Sequence, residues 1–431
     1  MTIFLLVILL FILIYLVFRQ QVGAFSCFAV LYFSIAVSLF YAISPILFSF
    51  NAIFHVGIFA ILLIWQIHYY SFKSILKFLT NPVILSIIAL SIIIYCYNDF
   101  SPYYHTYKEK IDAAQFGFYS KVIFPLLLLP LMIPDSYTRN SMVNSIPYWG
   151  VFYILALLVS FELSMLVMSD RSVLEESTGG ITGSISLSRI FAVSMIVSII
   201  MLSGIDKSHS VYIYFNIGLS IVFFLLVLIA GQRGTLIGAI LAIISLALRN
   251  EYRKHFIIIS LLIMIVGLIS IIFVDFGKFE IFQRFSQFEN LQSFERYYDY
   301  IRTWNIFKNN DFLWGLGSLG YHFKTGRPYP HNIILEHVTD YGLPGLICIC
   351  VLLCFCIKYV IQIIKLSENH NSIAIACCWI VLCFSAMVSS SLLNHQMFYT
   401  FTGLLVLAYL DFKQEQNKLI IDNNINDDII Q

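Results

Sequence analysis

The chain is constrained above all by a succession of uninterrupted apolar runs, each close to the length that crosses a bilayer. A spanning helix needs about 20 mostly apolar residues, with roughly 17 to 25 tolerated. By that measure helices are expected near residues 1–18, 26–48, 52–70, 80–97, 118–134, 147–168 and 187–204. Further helices follow near 210–230, 233–248, 256–274, 344–364, 372–390 and 396–412. The run at 118–134 is the weakest, being short and broken by Pro125 and Pro130. About twelve or thirteen spans are expected in all. None of the runs shows the two-residue alternation of outer-membrane strands, so they read as helices and not as a barrel.

Composition removes the competing classes. The chain is 60% hydrophobic and only 11% charged, against about 25% charged for a soluble domain. A soluble body with this much apolar surface would expose patches that monomers avoid. The formal net charge of +1 supplies no basic field for nucleic acid. The cysteines all lie in or beside apolar runs, and the one long polar loop has none, so no disulfide framework is expected. Cys348-Ile-Cys350 and Cys354-Phe-Cys356 sit in a continuous apolar helix, where cysteine packs as a small apolar residue. The first run lacks a basic leader and a small-residue cleavage site, so it is expected to be an uncleaved membrane helix.

Lysine and arginine in the short loops set the orientation. One set of helix ends carries Arg19, Lys73, Lys77, Arg139, Lys207, Arg249, Arg253, Lys254, Lys358, Lys365, Lys413 and Lys418. The other carries Lys108, Lys110, Lys121, Arg171, Arg189 and Arg233. The richer set is read as cytoplasmic, which turns segment 275–343 outward. The organisation is thus an all-α polytopic membrane protein, with helices over 1–274, a loop over 275–343 and helices over 344–412. The tail 413–431 is rich in Asn and Asp and is expected to be disordered.

Unstructured loops longer than about 12–15 residues are usually functional or disordered. Segment 275–343 is neither low in complexity nor highly charged, and its aromatic residues are enough for a small folded cap. Ser293 to Trp304 reads as a helix. Phe294, Tyr297, Tyr298, Ile301 and Trp304 form its apolar side, and Glu295, Asp299 and Arg302 its polar side. Such a helix is able to lie on a membrane surface. Gly315-Leu316-Gly317-Ser318-Leu319-Gly320 matches a dinucleotide-binding string, but it follows a helix and leads into a proline loop. It reads as a turn where backbone approaches something closely.

The most informative stretch is Tyr329-Pro330-His331-Asn332, followed by a short helix to Gly342 and then Pro344. His331 and Asn332 stand at its exposed start, near the expected membrane surface. A histidine there accepts a proton near neutral pH or serves as a polar cap. Arg189 and Arg233 open two spans at their outer ends. They are either interfacial anchors or ligands for a phosphate group, which guanidinium grips through two parallel bonds. Glu162 lies inside an expected span and needs a partner.

These residues resemble the bacterial O-antigen polymerase and O-antigen ligase superfamily. The likeness rests on about a dozen spans around one long late loop, on Gln232-Arg233-Gly234-Thr235-Leu236, and on Glu295-Arg296 through Trp304 to Gly315-Leu316-Gly317. The Pro330-His331-Asn332-x-x-Leu335-Glu336 block, with Gly342 and Gly345 behind it, completes it. The likeness covers roughly residues 185–365. It implies a GT-C-like membrane fold in the inner (cytoplasmic) membrane, with the loop and the site in the periplasm. It further implies a metal-independent, inverting glycosyl transfer without a cofactor. The donor would be an oligosaccharide on undecaprenyl pyrophosphate and the acceptor the non-reducing end of another lipid-linked repeat unit. A membrane lipid environment and a chain-length regulator protein are the implied partners. No Asp-rich metal site appears in the outer loops. His331, Arg233 and Glu336 are the catalytic candidates. Arg189, Arg296, Arg302, Asn332 and Glu295 are the substrate-binding candidates, with Glu295 an alternative base. The polymerase form is favoured over the ligase. A transporter or flippase using the arginines only for headgroups is the reading from another class.

Overall fold

A computed structural model of the chain describes residues 11–16, 21–28, 72–97, 101–133, 135–160, 184–204, 210–230, 232–247, 295–309, 313–327, 329–388 and 395–430, with a few isolated positions besides. Most of the expected spans 1–18, 26–48 and 52–70, all of 256–274, loop residues 275–294 and Glu162 fall outside them. All regular elements among the described residues are helical, so the all-α reading holds. In chain order they are α1 (Val22–Cys27), α2 (Phe72–Leu79), α3 (Pro82–Tyr97), α4 (Tyr104–Phe118), α5 (Phe124–Met132), α6 (Ser136–Ser160) and α7 (Ser184–Gly204). There follow α8 (Ser210–Ile229), α9 (Arg233–Ala247), α10 (Glu295–Asn309), α11 (Gly320–Thr325), α12 (Ile333–Leu366), α13 (His370–Val388) and α14 (Gln396–Ile430).

Among the described residues, α8, α12 and α13 are long and apolar enough to cross a membrane. Helices α2 and α3, bent by 67° at Thr80–Asn81, form one more candidate when taken as a single broken span. Helix α7 is buried on every side, from Leu187 through Leu202, as expected for a helix apolar all round. It is the central element. Helix α8 turns Val211, Tyr212, Tyr214 and Phe215 outward, which suits a lipid-facing span.

Small residues decide how closely the neighbours approach. A side chain at Gly150 of α6 would meet Ser194 Oγ of α7 at 2.5 Å. On α9, Gly234 and Gly238 are four residues apart, the small-xxx-small spacing that lets two membrane helices pack backbone to backbone. A Cβ at Gly238 would stand 2.8 Å from the Val381 carbonyl oxygen of α13, and one at Gly234 would run into Val388. Helices α9 and α13 are therefore in direct backbone contact. That contact builds the site.

Sequence and structure part at several places. Helix α6 starts at Ser136, well before the apolar boundary near 147, because Asp135 accepts hydrogen bonds from the Thr138 N–H at 2.7 Å and its hydroxyl at 2.9 Å. A carboxylate cap starts a helix irrespective of hydropathy. The tail expected to be disordered continues α14 to Ile430. Once a span has nucleated the helix, each added residue costs little, and Lys, Gln and Glu extend it readily. Helix α10 spans Glu295–Asn309, but its faces are reversed: Asp299 and Thr303 are 1% exposed, while Tyr297 is 54% and Trp304 62% exposed. Of the polar side, Asp299 points inward because it has partners there. Asp299 accepts a hydrogen bond from the Tyr321 hydroxyl at 2.9 Å, with Arg302 and Arg327 each 3.6 Å away. Burial and that bond push the Tyr321 phenol well above its usual range.

The glycine string is a latch and not a nucleotide loop. Leu316 N–H donates to the Thr339 carbonyl at 2.9 Å and Gly317 N–H to the Asp340 carbonyl at 2.7 Å. These carbonyls end the first part of α12, which breaks at Gly342 (φ 58) ahead of Pro344. Gly315 and Gly317 have φ values of 72 and 82, and a Cβ at Gly317 would meet Ser101 at 2.4 Å. The Ser101 hydroxyl donates to the Leu316 carbonyl at 2.7 Å. The loop thus satisfies carbonyls that the broken helix leaves open.

At the opposite end of the bundle the basic residues gather. Arg139 pairs with Asp411 and donates to the Ile133 carbonyl, while Arg249 donates to the carbonyls of Ile364 and Ser367. This is the end that the charge bias assigns to the cytoplasm.

Candidate active site

The other end of the bundle collects the starts of α7, α9, α12 and α14 and the finish of α13. Arg189, one turn into α7, is only 3% exposed. Its Nε donates to Ser385 Oγ at 2.7 Å, and its Nη2 lies 3.2 Å from His395 Nδ1. Ser385 also accepts a hydrogen bond from Thr235 Oγ1 at 3.1 Å. The close approach of α9 and α13 makes that last bond reachable, and it ties Arg189 to the helix that Arg233 opens. Tyr329 interacts electrostatically with Arg189.

Asn332 fixes the start of α12. Its Oδ1 accepts from Ile334 N–H at 2.9 Å and Leu335 N–H at 3.1 Å, and its Nδ2 donates to the Met387 carbonyl at 3.0 Å. One side chain thus caps the helix and moors it to α13, two residues beyond Ser385. His331, just ahead, is held at φ 57, a left-handed conformation that costs a non-glycine residue of order 1–3 kcal/mol. Its ring lies 4.6 Å from that of Tyr329, edge to face. Strain of this kind gathers where a side chain is being aimed.

Glu336 lies one turn further along α12, on its buried face, within electrostatic reach of Tyr341 and Tyr399. Arg233 is half-buried at the first position of α9. Arg302 stands in the cap, half-exposed and beside Asp299. Glu295 and Arg296 open α10, and their side chains fall outside the described residues. The structure therefore brings Arg189 and Asn332 onto the same end of α13, with His331 next to Asn332, and places Arg302 in the cap network.

Ser385 and His395 had no place in the sequence reading. The available signal was the polar interruption Ser389-Ser390-Ser391 to Asn394-His395-Gln396 between two apolar runs, which puts a histidine at an outer span end just as Pro330-His331 does. What the sequence lacks is the pairing, since Arg189 and His395 are 206 residues apart.

Fold and site together define an all-helical membrane protein with a buried arginine and polar residues gathered at one end of its bundle, and with a folded loop packed against α12. Residues 218–350 match the O-Antigen ligase family, and this supports membership of the O-antigen polymerase and ligase superfamily. The matched stretch holds Arg233, Arg296, Arg302, His331, Asn332 and Glu336, while Arg189, Ser385 and His395 lie outside it. Members of this family are glycosyltransferase-like enzymes acting on O-antigen. No curated protein matches the chain.

Proposed function

We propose that the protein is an O-antigen polymerase of the bacterial inner membrane. It moves a growing glycan from undecaprenyl pyrophosphate to the non-reducing end of another lipid-linked repeat unit at the periplasmic face. The observation that carries this reading is the meeting of Arg189, the Arg233 helix and the His331–Asn332 turn at one end of α13. In the transfer the bond from sugar C1 to the pyrophosphate oxygen breaks and a bond from C1 to the acceptor oxygen forms. The acceptor proton passes to a base, and undecaprenyl pyrophosphate leaves with the negative charge. Arg189 and Arg233 supply positive charge where that charge develops, in the role a divalent cation fills elsewhere. His331 takes the proton, and Glu336 acts behind it. Attack from the face opposite the leaving group inverts the sugar.

The family description favours a second reading, an O-antigen ligase that delivers finished polymer to lipid A-core with the same chemistry. A transporter is the weaker alternative, because transporter sites gather near the membrane midplane and these residues gather at helix ends. A lipopolysaccharide gel of a deletion strain, complemented with wild type or His331→Ala, separates the three. Polymerase function predicts collapse of the ladder to core plus one repeat unit, restored by wild type and not by His331→Ala. Loss of all core-linked O-antigen, with lipid-linked polymer accumulating, identifies the ligase. An unchanged ladder overturns both.

A further inference from the structure

His395 is fully buried, and its Nδ1 faces a guanidinium nitrogen that can only donate. Nδ1 is therefore an acceptor, the ring is neutral and the hydrogen sits on Nε2. Ser385 Oγ takes the adjacent Nε–H of the same arginine. Nε–H and one Nη2–H form the side-on edge of a guanidinium, so Ser385 and His395 together engage that edge. Thr235 donates to Ser385 from the third side. Ser385 and His395 are both neutral acceptors, and together they fix the direction of the guanidinium.

We propose that His395 is a positioning residue for Arg189, aiming the guanidinium at the pyrophosphate oxygen that gains charge as the glycosidic bond breaks. The inference rests on the transfer reaction given above. It extends the site to a residue beyond the stretch matched by the O-antigen ligase family and gives the turn into α14 a role in the chemistry.

Packing and positioning predict opposite rankings of two substitutions. Leucine fills the volume of a buried histidine but offers no acceptor. Asparagine is smaller and more polar, yet its Oδ1 falls near the Nδ1 position. The test is the lipopolysaccharide gel of the deletion strain, complemented with wild type, Arg189→Ala, His395→Leu or His395→Asn. Each variant is fused to a C-terminal fluorescent protein, so that amount and monodispersity in detergent are read alongside. Expected is a drop of at least tenfold in polymer for Arg189→Ala and His395→Leu at normal protein level, with His395→Asn restoring half or more. Combining Arg189→Ala with His395→Leu adds no further loss, because residues that act as a unit are not additive. Polymer from His395→Leu equal to wild type overturns the proposal, as does a well-folded His395→Asn no better than leucine. If leucine fails to accumulate, the asparagine variant decides alone by the same criterion. Failure of wild type itself to restore any product overturns the underlying reaction instead.

Discussion

A single side chain does two jobs at the start of α12, and they can be separated. Asn332 caps the helix through its oxygen and reaches the Met387 carbonyl through its nitrogen. Asn332→Ala removes both, at a cost of about 1 kcal/mol for the cap alone. Asn332→Asp keeps the cap and abolishes the donation to α13. Both variants are expected to lose polymer in the gel assay, but the alanine variant should also melt earlier in detergent than the aspartate variant. Equal activity of Asn332→Asp and wild type would show that the mooring to α13 is dispensable. At this scale much was legible in advance. Arg189, Arg233, His331 and Asn332 stand out as polar or charged residues at the outer ends of apolar runs, and the structure brings Arg189 and Asn332 to the same end of α13. Ser385 was not legible, since a serine in an apolar helix commonly bonds its own backbone, and only a contact spanning 196 residues reveals its other use.

Among elements, the pairing of α9 with α13 matters most. Gly234 and Gly238 bring the two backbones together, and Thr235 reaches Ser385 only because of that approach. Gly238→Leu inserts a branched side chain where a Cβ alone would stand 2.8 Å from a carbonyl oxygen. Overpacking costs typically 1–3 kcal/mol, and the helices must part to accept it. The expected outcome is loss of polymer with partial loss of monodisperse protein, and Gly238→Ala should lie between leucine and wild type. Helix existence in this region was readable from apolar run length, and α8, α9 and α13 end within two residues of expectation. The direction in which α10 faces was not. Apolar periodicity marks a face as special without saying what lies on either side, and here Asp299 found Tyr321, Arg302 and Arg327 within the protein.

The whole molecule is polarised, with the arginine site at one end and the cytoplasm-type basic residues at the other. A cysteine placed at Lys324, in the cap, is expected to react with a membrane-impermeant maleimide in cells whose outer membrane alone is opened. One placed at Lys413, midway along α14 on the side of the bundle where the basic residues gather, should react only after the inner membrane is breached. These labels are read in a background lacking the exposed native thiols Cys96, Cys350 and Cys354. The reverse pattern would turn the protein over and remove the site from the periplasm. Lysine and arginine counts predict this orientation because insertion itself responds to them, and the labels decide it.

The contacts of Arg189 also set an order of events during biogenesis. The ribosome delivers α7 to the membrane long before Ser385 and His395, which lie 196 and 206 residues further on. An arginine within a nascent span costs about 2.5–3.5 kcal/mol at the helix centre and less toward its end. Until the last spans emerge, α7 carries that cost without the cradle that later receives its guanidinium. A chain truncated after Leu366 should therefore be cleared faster in a pulse-chase experiment than the same truncation carrying Arg189→Leu. In the full-length chain the advantage of leucine should disappear. The arginine proposed to meet the substrate is thereby also the one that makes the unfinished protein a substrate for quality control.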